Sequence, residues 1–323
     1  MSEVTEVEDV YSAIEESCRL LNIVASRDKI VPILIAYRNA LATDALIVFT
    51  TGTGSHAGEL DWTLTLPPDC DPYAVAVANG FIPETDHPAD ALLADIRARC
   101  SIRGYAIDCE VAGGFNKTYS FFATDDLPKV STLAGIGSMP RGLAENASFL
   151  ARHGLDDDVS MLSIDYRRRS VNVYFGRLPA LSLEPRTVLS MVGELGLHEP
   201  GEQSLKLIRK SFSVYPTFTW DTPEIARICY AVITQDPRGL PTRLLPGGIE
   251  PEVEQFATRA PRVDTGARTL VYGITLPPGE EYYKVGSYYH INAQTRQLLA
   301  MFDALKDFDA VLTGGNRPPG PPG

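Results

Sequence analysis

The sequence is poor in residues that bind metals unaided. Five histidines and five cysteines are spread over 323 residues, and no C-x-x-C pair occurs among Cys18, Cys70, Cys100, Cys109 and Cys229. An odd number of widely spaced thiols excludes a paired-cysteine zinc site and reads as free thiols in a reducing cytoplasm. Positive charge is also scarce: 29 Lys and Arg face 41 Asp and Glu, a formal net charge of −12. Phosphate backbones and anionic bilayers select basic surfaces, so neither nucleic acid nor membrane is an expected partner. No run of about 18 apolar residues is present to span a membrane. The acidic, amphipathic stretch Met1 to Glu16 lacks the parts of a secretory leader. The sequons at Asn116 and Asn146 are then expected to be coincidental.

Two chemical signatures are missing as well. The paired D-D-x-x-D motifs of helical isoprenyl diphosphate synthases do not occur. The one acidic run, Asp156 to Asp158, leads into a strand-like segment and reads as a solvated loop. The Gly52-Thr53-Gly54 triplet joins two strand-like runs with no helix behind it, so it is a hairpin turn and not a nucleotide fingerprint.

What is present is a pattern. With 44% hydrophobic and 22% charged residues, the chain can bury a large core. Val7, Val10, Tyr11, Ile14, Cys18 and Leu21 share one helical face, and a second helix follows around Ile30 to Leu41. Then five units repeat every 50–57 residues or so, each two strand-like runs, a turn and a helical stretch. The hairpins cover 45–67, 101–124, 159–176, 210–233 and 268–291. They turn at Gly52 and Gly54, Gly113 and Gly114, Arg167 to Arg169, Asp221 to Pro223, and Pro277 to Gly279. Helical stretches follow near 90–100, 141–153, 186–196, 250–259 and 292–307. Ten antiparallel strands seldom remain an open sheet, and closure removes exposed edges. One barrel domain over 1–307 is therefore expected, monomeric, with a Pro/Gly-rich disordered tail at 308–323.

Side chains alternate faces along a strand. Sorted by parity, one face carries Asp61, Thr63, Thr65, Lys117, Tyr119, Asn172, Tyr174, Ser213, Tyr215, Arg227, Cys229, Ala231, Ile233, Lys284, Gly286 and Tyr288. The other carries Trp62, Leu64, Leu66, Val171, Val173, Phe175, Phe212, Val214, Ile228, Tyr230 and Val232. Amphipathic helices after every hairpin need an apolar surface to cover, so the greasy face is the barrel exterior and the polar face lines a lumen. Two lysines and an arginine converging there unpaired would cost several kcal/mol each. A multiply charged anion such as a diphosphate offsets that cost, and tyrosine faces stabilise cations. A carboxylate at Asp61 suits Mg²⁺, which takes one or two carboxylates beside phosphate oxygens.

The strings EVAGGFNKTYSFF, AENASFLARHGLD, SIDYRRRSVNVYF, RKSFSVYPTFTW and RTLVYGITLPPGEEYYKVGSYYHI resemble the soluble aromatic prenyltransferases of the ABBA (PT-barrel) superfamily, its naphthol-geranylating members above all. The similarity runs from the first helix to about Leu305. It implies an α+β fold of five ββα units closing a ten-stranded antiparallel β-barrel with helices outside. It implies transfer of a geranyl or dimethylallyl group from its diphosphate to a phenol, naphthol or aromatic polyketide in secondary metabolism. By local match, Asp61 falls on the Mg²⁺ position, and Lys117, Asn172, Tyr215, Arg227 and Lys284 on the diphosphate positions. Tyr119 falls beside the prenyl chain, with Tyr174, Thr50 and Thr63 nearby. Ser160, Met161, Phe212, Ser213, Ala231, Ile233, Gly286, Tyr288, Gln294 and Leu298 fall on the acceptor side, with Ser213 or Tyr288 relaying the released proton. Two departures touch that side: Gln294 stands where an apolar residue is expected, and Ser160 replaces a larger amide. Acceptor identity and regiochemistry therefore do not carry over, and a non-catalytic isoprenoid or polyketide carrier is the alternative use of the same lumen.

Overall fold

The structure, a computed structural model, describes residues 6–235 and 249–297. Ten strands form: β1 (Ile47–Gly52), β2 (Leu60–Leu66), β3 (Ile102–Glu110), β4 (Gly114–Phe122), β5 (Val159–Asp165), β6 (Ser170–Phe175), β7 (Ser213–Thr219), β8 (Arg227–Thr234), β9 (Leu270–Leu276) and β10 (Tyr282–His290). Each consecutive pair is antiparallel, and β1 pairs with β10 to close the barrel. All five hairpins turn at the punctuating residues read from the sequence. Gly114, at φ 81°, occupies the left-handed region where a side chain would be strained. The third turn contains Arg169 at φ 48°, a conformation uncommon for a residue with a side chain.

Pro216 lies inside β7 yet has no N–H to give a ladder. Between β6 and β7 the pairing runs from Ser170↔Thr219 to Asn172↔Thr217 and resumes at Phe175↔Val214. Tyr174 and Tyr215 sit beside that gap, and their rings meet at 4.2 Å between centroids.

The helices at 88–97, 185–194 and 251–259, and the short pair Arg141–Glu145 and Ala147–Arg152, follow the first four hairpins, close to where period 3.6 places them. Proline opens those at Pro88, Pro185 and Pro251, where a missing N–H costs nothing. The fifth begins at 293–297; the rest of its stretch, and the tail at 308–323, lie outside the described residues. Short helices at Pro72–Ala78, Val130–Ala134 and Glu202–Ile208 are additional to the sequence reading. Five to seven residues are too few for a helical period to stand out.

The packed core is the shell between barrel and helices. Trp62, Leu64, Val171, Val173, Ile228 and Tyr230 from the strands are buried against Ile14, Leu92, Leu150, Val192 and Phe256. The apolar parity therefore points outward, as helix placement requires, and the other parity is released to line the interior. Phe212 breaks the parity sorting: it precedes β7, outside the strict alternation, and its side chain lines the lumen.

Candidate active site

The lumen holds a cavity of about 280 Å³ that is polarised along its axis. At the hairpin-turn end stand Asp61, Asp108, Lys117, Asn172, Tyr215, Arg227 and Lys284. Toward the helix-connection end the lining becomes Leu46, Val48, Phe121, Met161, Phe212 and Val271. Strand register produces this gradient: Lys284 pairs with Gly52 at the turn, whereas Val48 lies four residues further along β1. Thr50, Thr63, Tyr119, Tyr174, Ser213, Ala231 and Gly286 fill the middle of the wall.

The cations are not bare. Lys117 Nζ lies 3.4 Å from Asp108 Oδ1 and 3.8 Å from Asp165 Oδ2, and Lys284 Nζ lies 3.6 Å from Asp61 Oδ2. The expectation of three unpaired lumen cations is therefore corrected: two of them have carboxylate partners. Among the described residues only Arg227 of the three has no carboxylate within 4.0 Å. Asp108 and Asp165 are absent from the sequence reading. Register would have found both, because Asp108 and Asp165 are the two cross-strand neighbours of Lys117, on β3 and β5.

Protonation follows from this burial. Desolvation pulls the Lys117 ammonium down, but Asp108, Asp61 and Asp165 outweigh it, and its pKa ends above the ordinary lysine value. Desolvation and then Asp108 push the Asp61 carboxyl up to about 6, against the opposing pull of Lys284. Burial raises the Tyr119 and Tyr215 phenols well above their usual range and raises Tyr174 too. All three are neutral near pH 7 and present ring faces, not phenolates. Tyr119 and Tyr174 stand 6.3 Å apart between centroids. Asn172 donates to Ser163 Oγ at 3.0 Å and to the Tyr174 hydroxyl at 3.3 Å, and accepts from Thr217 Oγ1 at 2.7 Å. Thr63 Oγ1 donates to Asp108 Oδ2 at 3.0 Å. Gly273 keeps the floor clear, since a Cβ there would lie 3.1 Å from Cys229 Sγ and 3.6 Å from the Tyr215 hydroxyl.

Several residues assigned to the acceptor side stand elsewhere. Ser160, Ile233 and Tyr288 are not among the cavity-lining side chains. Ser160 sits at an irregularity in β5 and its hydroxyl donates to the Tyr174 carbonyl at 3.1 Å, which takes it out of the alternation. Ile233 lies near the end of β8, one residue before it finishes. Tyr288 pairs with Val48 at the far rim, where burial pushes its phenol up to about 12. Gln294 lines a second, adjoining cavity, and Leu298 lies outside the described residues.

The metal fit is partial and specific. Among the described residues no group of three or more His, Cys, Asp or Glu side chains is arranged to hold an ion. Asp61, a buried carboxylate whose charge is under strain, suits a cation that takes its remaining ligands from water and a substrate's phosphate oxygens.

A closed ten-stranded barrel wrapped in helices, with cations at one end of a tyrosine-lined lumen, defines a PT-barrel prenyltransferase. The chain matches the family described as aromatic prenyltransferase Orf2 over residues 5–301 and belongs to it. It is 41% identical over 308 residues to a furaquinocin biosynthesis prenyltransferase of Streptomyces sp. (strain KO-3988), spanning 95% of this chain and 97% of that one. It is 40% identical over 301 residues to a 5,10-dihydrophenazine-1-carboxylate 9-dimethylallyltransferase of Streptomyces anulatus, 93% and 98% of the two chains. It is also 40% identical over 298 residues to a flaviolin linalyltransferase of Streptomyces virginiae, 92% and 96% of the two chains. In fold it resembles the prenyltransferase PriB in its ternary complex with L-tryptophan and dimethylallyl thiolodiphosphate. There the TM-score is 0.54 at 12% identity, covering 88% of this chain and 97% of that one. The chain is thus an enzyme, an aromatic prenyltransferase, and no described helix is long and apolar enough to cross a membrane.

Proposed function

We propose that the chain transfers a geranyl or dimethylallyl group from its diphosphate to a phenol, naphthol or aromatic polyketide by electrophilic aromatic substitution. The carrying observation is the axial gradient of the lumen: Lys117, Arg227 and Lys284 at one end, Tyr119 and Tyr174 in the middle, apolar side chains at the other.

In this reading the diphosphate sits among Lys117, Arg227 and Lys284, with Asn172 and Tyr215 as hydrogen-bonding neighbours. Donors fixed before reaction stabilise the charge that builds on the leaving oxygen. Arg227, with no carboxylate within 4.0 Å among the described residues, has its full charge to offer. Mg²⁺ held by Asp61 would add neutralising charge on the diphosphate when bound. The allylic C–O bond breaks with its electron pair left on the diphosphate. Tyr119 and Tyr174 present ring faces to the allylic cation. A ring carbon of the acceptor, held against Met161, Phe212, Ala231 and Gly286, attacks it. The displaced ring proton leaves through water near Ser213, and rearomatisation drives its loss.

The five unpaired cysteines suit a reducing cytoplasm. The closed barrel, with no free edge strand to template pairing, suits a monomer. The reaction is tested by incubating the chain with geranyl or dimethylallyl diphosphate, a dihydroxynaphthalene and Mg²⁺. Prenylated product with released diphosphate is expected. Tight donor binding without turnover across a broad acceptor panel would instead favour a carrier.

A further inference from the structure

At the helix-connection end, a second cavity of about 220 Å³ adjoins the lumen and shares Leu46, Thr65 and Phe121 with it. Arg103 and Gln294 line it from two elements, β3 and the last helical segment. Arg103 lies where the β3–β4 register shifts, between Ile102 and Gly104, and its guanidinium stands 5.5 Å over the Phe121 ring. Among the described residues no carboxylate lies within 4.0 Å of it. Arg97, Arg152, Arg167, Arg168, Arg177 and Arg209 each have one, and Arg99, Arg262 and Arg268 donate instead to a carbonyl or hydroxyl oxygen. Among the described residues lining this cavity the acid is Asp44, and it is already engaged: Oδ2 accepts from the Ala293 N–H at 2.6 Å, and Oδ1 lies 3.7 Å from His290 Nε2.

We infer that Arg103 is a specificity-determining residue that receives a carboxylate carried by the aromatic acceptor. The inference rests on the aromatic-transfer reading above and adds a substrate class to it. With the diphosphate at the hairpin end, an acceptor ring in the middle of the lumen directs its far substituent toward Leu46, Thr65 and Phe121, and so toward this second cavity. A planar guanidinium fits a carboxylate with two parallel N–H···O bonds. The Gln294 amide, which lines the same cavity, is a further donor. Phe121 underlies the guanidinium and lines both cavities, which makes it the surface shared by ring and anion.

The test compares a hydroxynaphthoate with the naphthol that lacks its carboxylate, by equilibrium binding to the chain loaded with geranyl thiolodiphosphate. Wild type should prefer the naphthoate. Arg103→Gln should weaken naphthoate binding on the order of tenfold to a hundredfold, the range of a hydrogen-bonded charge pair. Naphthol binding should stay within about twofold, and Arg103→Lys should recover part of the loss. Unchanged binding of the thiolodiphosphate shows that each variant is folded. Equal wild-type affinity for the two ligands, or an equal loss of both in Arg103→Gln, overturns the inference. Naphthoate preference without prenylated product from any acceptor would leave Arg103 its anion site and overturn the transfer reading instead.

Discussion

Lys117 Nζ lies 3.4 Å from Asp108 Oδ1 across the β3–β4 pair, both side chains nearly excluded from water. The lysine, proposed above as a donor-site cation, is thus also the counter-ion of buried carboxylates. Lys117→Met leaves Asp108 and Asp165 buried without their ammonium, so a loss of about 3–5 kcal/mol is expected. Lys117→Met with Asp108→Asn should regain part of that. Urea denaturation checks both, and an unchanged midpoint in the single variant would refute the pairing.

Lys284 and Arg227 separate the same two roles differently. Lys284→Ala should lower turnover at least tenfold, about 1.4 kcal/mol of barrier, if it supports ionisation. Arg227→Gln should cost roughly 10²–10³ in turnover, as for the loss of one fixed donor to a developing anion. Because no described carboxylate within 4.0 Å depends on Arg227, its stability should change little. Steady-state kinetics alongside thermal melts make the comparison, and wild-type turnover in either variant removes its assigned role.

Asp61 gives a pH dependence of definite sign. Its folded pKa of about 6 exceeds the ordinary 3.8, so the fold favours the protonated acid. The associated stability, roughly 3 kcal/mol at most, is fully present below pH 3.8 and is lost as pH rises through 6. Cation binding needs the opposite form. Stimulation of turnover by Mg²⁺ should therefore fall about tenfold per pH unit below pH 6. Asp61→Asn should abolish the stimulation and remove that limb. A Mg²⁺ response surviving in Asp61→Asn would assign the ion elsewhere.

Tyr119 and Tyr174 are proposed to act through ring faces, with phenols that burial keeps protonated. Tyr119→Phe should keep most of the turnover. Tyr119→Ala should lose on the order of 30-fold, the equivalent of about 2 kcal/mol of desolvated cation–π attraction. Equal losses in the two variants would show that the hydroxyl matters and not the face.

The barrel was legible in the chain because strand alternation is a local property. Trp62 faces out and Asp61 faces in simply because they are adjacent. The turns were legible because Gly114 and its kind answer local backbone demands. The short helices were not, since 130–134 holds too little sequence for a period. Phe212 was misplaced by parity because alternation holds only inside a strand, and it stands one residue before β7.

The sequence by itself determined the ten strands, the face shown by residues inside their regular alternation and, through its likeness to aromatic prenyltransferases, the reaction class. Only the tertiary structure decided which charges meet. Asp108, Asp165 and Lys117 belong to three strands, and their contact exists through cross-strand register, which no single strand encodes. It also decided where the lumen ends: Arg103 and Gln294 are 191 positions apart, and closure of β1 on β10 brings them to one cavity.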